Sequence, residues 1–388
     1  MKRVTFITAF PEFLESFLAH SVVGRAVRAG IIEASVVNLR DFAVNRYGQV
    51  DDYSFGSGGM VLMAEPLAEA LESLADPEAA VIYPSPQGVV LSQELVESLA
   101  ARDHLVLVCG HYEGIDERFV EKHVSLEVSL GDFVLTGGEL PSMVLVDAVS
   151  RLVPGVVGRI EAVEDDSFFR GMLDHPHFTR PAEWRGIPVP QVLLSGDAAS
   201  IDRWRKEEAV ARTILRRPDL LGTANIRPYL SKRPYVLLPG NLACLPGALG
   251  QLVGLAKLYG LERVLIVEQD EDRRGELSSV LTGTLGEGHP QVKFFKTARQ
   301  AFQWVSKREG GSVFPVGVND CAGKPRVHWM EAKRQILETK RPLVLCFLPE
   351  LPENGITLAP LREGLESEER VDPVLVLSVF VDRFFGCR

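Results

Sequence analysis

Apolar and polar residues alternate in blocks along the first 160 positions of the chain. Short apolar runs predict β-strands, and the longer segments between them, with apolar residues every three or four positions, predict helices. Ser92 is a suitable N-cap for one of these helices. The predicted strands are Val4–Thr8, Ala34–Asn38, Ala80–Tyr83 and Leu105–Cys109, and the predicted helices include Glu65–Ala75 and Ser92–Ala101. This alternation is typical of an α/β domain with a mostly parallel sheet.

The pattern weakens in the middle of the chain. Residues 161–180 are polar, rich in acidic residues and histidine, and without periodicity, which predicts a linker. Residues 181–222 predict a small helical unit whose main helix is Ile201–Arg216. Its apolar stripe is narrow, so we expect this unit to depend on packing against another subunit or RNA.

Strand and helix patterns resume near Pro228 and continue to the end of the chain. A further α/β domain of about 155 residues has an ordinary domain size. The predicted elements are strands Tyr235–Pro239, Arg263–Glu268, Val313–Val318 and Leu343–Leu348, and helices Ala248–Tyr259, Ala298–Lys307 and Glu331–Lys340.

Length and composition agree with several soluble domains. A chain of 388 residues exceeds one ordinary core, and 46% of its residues are hydrophobic. It has no apolar run of membrane-spanning length, and Pro11 and Glu12 interrupt the first apolar stretch too early for a signal peptide. Five scattered cysteines without metal spacing favour reduced thiols and a cytoplasmic location.

Net charge alone points away from nucleic acid. The chain carries −10 overall, with 21 basic and 33 acidic residues before position 229 and 21 against 19 after it. An acidic protein can bind RNA only through local basic patches. One such patch occupies fifteen residues of the middle segment and contains Arg203, Arg205, Lys206, Arg212, Arg216 and Arg217.

Two glycine-rich segments follow strand-like runs in the first part of the chain. VLVCGHYEGIDER spans residues 106–118, and LGDFVLTGGELP spans residues 130–141. Glycine permits positive φ and close approach of the backbone to a ligand. Loops at the ends of strands are where an open α/β sheet usually binds its ligand, so we expect a binding cleft here.

These segments resemble the bacterial tRNA (guanine-N1)-methyltransferase family, which modifies the guanosine 3′ of the anticodon, position 37. The resemblance starts at FITAFPEF (residues 6–13), ends near ILRRPDLL (residues 214–221) and includes VIYPSPQG, DAVSRLVPGVVG, DDSFFRG and HPHFTRP. It implies an S-adenosylmethionine-dependent enzyme of the SPOUT class, with a trefoil knot, active as a homodimer on tRNA. The implied organisation is a SPOUT domain at 1–160, a linker at 161–180, a helical tRNA-binding domain at 181–228 and a second α/β region at 229–388.

The reaction needs a base near N1 of guanine and a donor near O6, where negative charge develops. By resemblance, Asp166 is the base, although Asp165 is adjacent and an acidic linker residue is often merely solvated. Arg151 resembles the arginine that stabilises O6; its alternative role is a helix-surface pair with Asp147.

The resemblance also implies the donor-binding residues. Most of them act through backbone groups. Pro86 contacts the adenine, and Glu113 faces the cationic end of the donor. Position 133 is phenylalanine here where relatives often have tyrosine. The implied set is Pro86, Gly110, Tyr112, Glu113, Leu130, Gly131, Asp132, Phe133, Val134, Leu135, Gly137, Gly138 and Pro141.

Candidate tRNA contacts lie in several segments, and the FGSGGM loop (residues 55–60) is one residue shorter than is common in the family. The candidates are Arg40, Asp41, Asp51, Arg180, Arg203, Arg205 and Arg212, with His175, His177 and Thr179 nearby. The His175–x–His177 spacing could suit a metal, but the sequence offers no third ligand, so no dedicated metal site is predicted. The family's use of magnesium implies at most a weak site completed by substrate.

Residues 233–388 resemble a family of SPOUT-class RNA methyltransferases more faintly, through ALGQLVGLAKLYGLERVLIV and SVFVDRFFG. LPELPENG (residues 348–355) stands where those relatives have a glycine-rich donor loop. Prolines and glutamates cannot cradle a donor with backbone groups as glycines do. We therefore expect a SPOUT-like domain without methyltransferase activity that aids RNA docking or dimerisation; the alternative is a second methyltransferase with an altered loop.

Two other functions are compatible with these patterns. One is an RNA-binding protein without chemistry, which the intact glycine loops disfavour for the first half. The other is methylation of a different RNA, since specificity depends on contacts that sequence does not reveal.

Overall fold

The computed structural model describes residues 1–56, 58–158, 166–169, 171–243, 248–285, 292–318, 324, 326–348, 350–358 and 373–386. The chain forms two compact units, Met1–Asp165 and Asp166–Arg388. We call residues 166–228 the arm and residues 229–388 the second sheet region. Both belong to the second unit, and the predicted boundaries near 180 and 228 stay predictions. No helix in the described parts of the chain is long and apolar enough to cross a membrane.

The first unit is built on a five-stranded parallel sheet, as its alternating pattern predicts. Its strands stand in the spatial order β2-β1-β6-β5-β7. Their bounds are β1 Arg3–Thr8, β2 Glu33–Asn38, β5 Ala80–Val90, β6 His104–Val108 and β7 Leu126–Ser129. A separate antiparallel hairpin pairs β3 (Asp51–Tyr53) with β4 (Met60–Leu62).

In the described part of the first unit, six helices accompany this sheet. They are α1 Pro11–Ala19, α2 Ser21–Arg28, α3 Ala64–Glu72, α4 Gln93–Ala100, α5 Glu117–His123 and α6 Glu139–Ser150, with a 3-10 turn at Leu39–Phe42. Ser92 caps α4 as predicted, because its hydroxyl accepts from the backbone N–H of Leu95. Helix α3 ends three residues before the predicted Ala75, which has a positive φ of 49°.

Both faces of this sheet are buried. Val4 and Phe6 of β1 belong to one hydrophobic cluster. The next residue, Ile7, belongs to another cluster on the opposite face of the sheet. Alternate side chains of a strand point to opposite faces, so a strand buried on both sides is apolar at most of its positions. This explains the short apolar runs in the sequence.

The arm contains the predicted basic helix and elements that the sequence did not predict. The helix is α8 (Ala198–Arg216), and Asp197 caps it by accepting from the N–H of Ala199. Before it stand a two-stranded hairpin, β8 (Glu183–Trp184) and β9 (Ile187–Pro188), and the short helix α7 (Gln191–Leu194). Two 3-10 turns, Pro218–Gly222 and Arg227–Tyr229, lead out of the arm.

The second sheet region holds a seven-stranded parallel sheet in the order β12-β11-β10-β15-β13-β16-β14. The strands are β10 Tyr235–Pro239, β11 Arg263–Val267, β12 Val292–Phe295, β13 Phe314–Gly317, β14 Arg326–Val327, β15 Leu343–Cys346 and β16 Ile356–Leu358. The helices are α9 Gly240–Ala243, α10 Ala248–Leu258, α11 Glu271–Leu285, α12 Ala298–Glu309, α13 Trp329–Thr339 and α14 Pro373–Phe385.

The central strands of the two sheets follow the same order. In the first sheet, the second strand in the chain lies beside the first, followed by the fourth, third and fifth. Without the edge strands β12 and β14, the second sheet has this same order, β11-β10-β15-β13-β16. The two parallel sheets therefore share a central topology, and the loops that follow equivalent strands can be compared directly.

Candidate donor-binding cleft and its surroundings

A cavity of the first unit lies at the carboxyl ends of β6 and β7, beside the irregular middle part of the neighbouring strand β5. Ligands of open α/β sheets bind at this edge. The cavity measures about 210 Å³ and lies between the two glycine-rich segments. Its lining is Tyr83, Pro84, Ser85, Pro86, Gly110, His111, Tyr112, Glu113, Gly114, Val128, Ser129, Leu130, Phe133, Val134, Leu135, Thr136, Gly137, Gly138 and Pro141.

The lining includes every residue expected to bind the donor except Gly131 and Asp132, which belong to the same loop. The sequence therefore located the wall formed by the two loops. It missed the wall contributed by β5, apart from Pro86, since the predicted strand ended at Tyr83. Strand β5 instead continues to Val90 through an irregularity in its pairing with β7.

The two loops touch through their glycines. The N–H of Gly138 donates to the carbonyl of Gly110 at 2.8 Å. A Cβ on Gly138 would lie 2.6 Å from the nitrogen of Gly110 and 2.7 Å from the Cα of Cys109. Backbone atoms cannot move away as a flexible side chain could, so this crossing requires glycine.

Unusual backbone conformations shape the cavity wall. Gly131 has a φ of 141°, and Tyr112 has a φ of 59°, which is uncommon for a residue with a side chain. The Ser129 hydroxyl lies 3.2 Å from both the nitrogen and the carbonyl oxygen of Gly131 and braces the second loop. Phe133 and Val134 are exposed, so this wall reaches solvent.

Glu139 is buried beneath the loops, and sequence analysis did not single it out. Its carboxylate accepts from the Thr8 hydroxyl at 2.5 Å and lies 2.7 Å from Nε2 of His111. The residue is only 3% exposed. A buried carboxylate needs such partners, and the start of α6 adds the favourable end of a helix dipole. Glu139 thus joins β1, the first loop and the second loop.

Burial also sets the protonation of two nearby groups. It raises the pKa of the Tyr83 phenol, whose oxygen lies close to Gly110 and Gly114. Burial, with the charge of Glu139, raises the pKa of the Cys109 thiol. Both groups are therefore neutral near pH 7, and Cys109 is not an activated nucleophile.

An apolar surface adjoins the cleft. A second hollow is lined by residues of α1, the two loops and α6: Phe10, Glu12, Phe13, His111, Thr136, Gly137, Glu139 and Leu140. Phe10, Phe13, Leu140 and Val144 are 41%, 50%, 47% and 50% exposed. Large contiguous apolar patches commonly mark interaction sites.

The two expected catalytic residues belong to different units. Arg151 is the exposed residue that directly follows α6 in the first unit. Asp166 is half-buried and begins the second unit. It precedes a tight turn in which the N–H of Phe168 donates to the Met172 carbonyl at 2.7 Å. Asp165, the alternative base, lies outside the described residues.

The expected tRNA contacts are spread over both units. Arg40, Arg180, Arg203 and Arg205 are exposed, whereas Asp51 and Arg212 are half-buried. The guanidinium of Arg40 donates to the Gly48 carbonyl and lies 5.9 Å from the centre of the Phe10 ring. Residue 57 of the 55–60 loop is not among the described residues.

The arm brings a third candidate metal ligand beside the two histidines. Ligand atoms of Asp174, His175 and His177 all lie within 4.8 Å of one another. The Asp174 carboxylate is 2.7 Å from Nδ1 of His175 and 2.6 Å from Nε2 of His177. The rings of His175 and Phe178 lie beside Trp204 of α8, at 6.4 and 6.2 Å between centroids. The carboxylate is hydrogen-bonded to the His177 ring and lies close to Nδ1 of His175, which is buried without a hydrogen-bond partner among the described residues.

Comparison with known proteins identifies relatives of more than half the chain. The family described as tRNA (Guanine-1)-methyltransferase TrmD matches residues 1–223. A tRNA (guanine-N(1)-)-methyltransferase of Moorella thermoacetica is 51% identical over 231 residues, covering 58% of this chain and 92% of the relative. The corresponding proteins of Staphylococcus carnosus and Bacillus subtilis are 49% and 48% identical, each covering 56% of this chain and 90% and 92% of the relative.

Proposed function

The chain belongs to the tRNA (guanine-1)-methyltransferase family, and from that premise we propose that it methylates N1 of guanosine 37 in tRNA with S-adenosylmethionine as donor. The observation that carries this proposal is the cleft in the first unit. It lies at the ligand-binding edge of the sheet, and its lining contains eleven of the thirteen residues expected to hold the donor: Pro86, Gly110, Tyr112, Glu113, Leu130, Phe133, Val134, Leu135, Gly137, Gly138 and Pro141.

The cleft suits the donor chemically. Backbone N–H and carbonyl groups of the two loops can hydrogen-bond an adenine, and Pro86 and Leu130 offer apolar contact to its ring. Glu113 presents an exposed carboxylate at the rim, which complements a positive charge. When bound, S-adenosylmethionine supplies an electrophilic methyl group on a positively charged sulfur.

The remaining chemistry belongs to side chains of this chain. N1 of guanine carries a proton at neutral pH, and we assign its removal to the Asp166 carboxylate. The electrons then move toward O6, where the planar, permanently charged guanidinium of Arg151 donates hydrogen bonds. This assignment rests on the family motifs and on the exposed position of Arg151 after α6.

We further propose a trefoil knot in residues 1–160, a homodimer, and a cytoplasmic location. The contact between Gly110 and Gly138, where the two loops meet, supports the knot. The exposed apolar patch of Phe10, Phe13, Leu140 and Val144 supports a dimer interface. Buried thiols at Cys109 and Cys346 suit a reducing compartment. Sedimentation equilibrium of the full chain and of Leu140→Asp tests the dimer.

Magnesium fits the described residues poorly. Their one group with three candidate ligands, Asp174, His175 and His177, offers two imidazole nitrogens. Magnesium prefers oxygen ligands in octahedral geometry. We therefore assign no step of the reaction to magnesium.

The second sheet region differs from the first at the position that corresponds to a glycine of the donor cleft. Leu348 occupies the position that corresponds to Gly110, and its side chain is buried. At Gly110 a Cβ would lie 2.8 Å from Cε2 of Tyr83, so the first cleft has no room for a side chain at this position. We propose that this region is accessory, consistent with an RNA-docking or dimerisation role.

Two tRNA transcripts that differ only at position 37 provide the test. The purified full chain is incubated with S-adenosylmethionine and each transcript, and the methylated nucleoside is located by mass spectrometry. We expect N1-methylguanosine only in the transcript with guanosine 37. A methyl group on another position or RNA would replace this function with the alternative substrate, and complete inactivity would favour binding without chemistry.

A further inference from the structure

The arm shares a hydrophobic core with the second sheet region. Met172, Leu221, Ala224 and Ile226 of the arm are at most 2% exposed. They lie in the same buried cluster as residues of α10, α13 and α14: Leu249, Leu252, Val253, Ala256, Ala332, Ile336, Leu337, Leu377, Phe380, Val381, Phe384 and Phe385. Half-buried Val210 and Ile214 of α8 pack against this cluster. Burial of this kind is the main source of stability in a small folded segment.

Polar contacts fix the same boundary. Lys333 of α13 is fully buried, and its ammonium donates to the carbonyl of Ala224 at 2.7 Å. It also lies 5.1 Å from the centre of the Trp329 ring and 5.4 Å from that of Phe384. The N–H of Ile226 donates to the Phe384 carbonyl at 3.0 Å. A buried amine between two rings fixes its partner more strictly than apolar packing alone.

These contacts continue to the segment that carries Asp166. Gly171 packs so closely on Ala224 that a Cβ would lie 2.7 Å from the Ala224 Cα. The N–H of Leu173 donates to the Thr213 hydroxyl of α8 at 3.0 Å. The N–H of Asp174 donates to the Ser167 hydroxyl at 2.9 Å, next to Asp166. An unbroken series of hydrogen bonds and close contacts therefore joins Asp166 to α13 and α14.

Helix α8 could not provide this support by itself. Among its 19 residues only Ala209 and Thr213 are buried. An isolated helix with so narrow a buried stripe is marginal in water. The sequence led us to expect packing against another subunit or RNA; the structure instead seats the arm on the second sheet region of its own chain.

We infer that the second sheet region anchors the arm through their shared core, which we call the seat of the arm. We also infer that Lys333 is a positioning residue for methyl transfer. It acts through Ala224 and Gly171 to hold Asp166 and the basic face of α8. This inference rests on the proposed function, because Asp166 matters to the rate only if it is the base. Residues 229–388 then serve tRNA methylation without binding the donor.

The first test replaces Lys333 with methionine, which keeps the approximate length of the side chain and removes its amino group and its hydrogen bond to Ala224. We expect kcat for tRNA methylation to fall at least tenfold, with a smaller rise in KM for tRNA. The Kd for S-adenosylmethionine should stay within twofold, because the cleft lies wholly in the first unit. Lys307→Met, an exposed lysine of α12, is the matched control.

Hydrogen exchange of the full chain supplies a readout independent of catalysis. In Lys333→Met, amides of residues 166–228 should exchange at least tenfold faster, while those of β10 and β15 keep their protection. Unchanged exchange in the arm, or a kcat equal to that of Lys307→Met, would overturn the inference. If the unsubstituted protein methylates no tRNA but amides of the arm still exchange faster in Lys333→Met, the anchoring of the arm is confirmed and the proposed function is wrong.

A second variant covers the case in which Lys333→Met unfolds the whole second sheet region. Ile226→Asp places a carboxylate on the arm side of the boundary, where Ile226 is fully buried. We expect it to release the arm and to leave β10 and β15 protected. Ile187→Asp, at a position 63% exposed in the β8–β9 hairpin, is its control. If the amides of the arm exchanged at equal rates in these two variants, the inference that the second sheet region anchors the arm would be wrong.

Discussion

The two sheets of this protein share a central strand order but differ at the loop that follows their fourth strand. In the first sheet the N–H of Cys109 donates to the Ile7 carbonyl at 2.9 Å; in the second, that of Phe347 donates to the Leu237 carbonyl at 3.0 Å. The matching hydrogen bonds align the residues that follow. Gly110 thus corresponds to Leu348.

One position illustrates the difference. A Cβ on Gly110 would lie 2.8 Å from Cε2 of Tyr83, which lines the cleft, so the first site has no room for a side chain there. Leu348 is 8% exposed and joins a buried cluster with Val344 and Cys346. A shared topology therefore preserves the sheet and its packing, while the ability to bind a ligand depends on a few loop positions.

The largest expected effects come from the proposed catalytic pair. Asp166→Ala and Arg151→Ala should each lower the methylation rate by about 10²–10⁴-fold, because each removes charge or proton transfer from the transition state. Binding of tRNA, measured by filter retention, should change little. Exposed charges of the second sheet region, Asp272→Ala and Arg341→Ala, are controls expected to stay within twofold. An equal loss of methylation rate in these controls would show that the proposed catalytic pair is not special.

Leu348→Gly tests whether a donor site can be created in the second sheet region. Removing a buried leucine side chain from this core should lower the free energy of unfolding by about 2–5 kcal/mol. Urea denaturation monitored by circular dichroism measures this loss. We expect no second S-adenosylmethionine site in calorimetry, because two prolines still interrupt residues 348–355. A stoichiometry of two donors per chain would show that only Leu348 separates the two sheets.

Gly138→Ala is the reverse change, because it adds a methyl group beside the cleft of the first unit. Its Cβ would meet backbone atoms of Gly110 and Cys109 at 2.6 and 2.7 Å. Overpacking of this kind costs about 1–3 kcal/mol, so the Kd for S-adenosylmethionine should rise roughly tenfold to a hundredfold. Gly254→Ala in α10, where a Cβ meets nothing within 4 Å, is the control. Wild-type donor affinity in Gly138→Ala would remove the reason for a glycine there.

The smallest effect concerns acid stability. Hydrogen bonds from Arg334 and Gln335 lower the pKa of Glu331 in α13 to about 2. A carboxyl with a lowered folded pKa stabilises the protein above its ordinary range, and this contribution disappears as pH falls toward 2. The pair is partly exposed, so Glu331→Gln should lower the free energy of unfolding by only about 0.3–0.5 kcal/mol at pH 7.

Urea midpoints at pH 7 and pH 2.5 measure that difference. It should shrink at the lower pH, whereas Glu276→Gln, an exposed position of α11, should show no such trend. A difference that stayed constant with pH would mean that the ion pair does not stabilise α13. In the first unit, a hydrogen bond from His104 also lowers the pKa of Asp76, so both halves should lose stability in acid.

Elements with a clean periodic pattern could be predicted from sequence. Strand β1 and helix α4 have observed bounds within one residue of the prediction, because apolar spacing and the Ser92 cap act locally. Helices α11 and α14 were missed. The former is polar, and the latter, PVLVLSVFVDRFF, combines β-branched residues with an apolar run that does not distinguish helix from strand.

The residues of the site also divide into those that could be predicted from sequence and those that could not. Glycine spacing located both loops of the cleft, because positive φ and close backbone approach limit the residue type. The buried Glu139 was missed, since carboxylates are mostly exposed and its partners Thr8 and His111 are distant in the chain. The seating of Ile226 beside Phe384 could not be predicted either, because local patterns do not name the partner of an apolar residue.

The tryptophans are unevenly distributed, and this offers an optical probe. All four, Trp184, Trp204, Trp304 and Trp329, belong to the second unit, and Trp329 lies beside Lys333, which contacts the arm. Intrinsic emission at long excitation wavelength therefore reports on the arm and the second sheet region, without background from the donor cleft. A shift of that emission on adding S-adenosylmethionine alone would reveal communication from one half of the chain to the other.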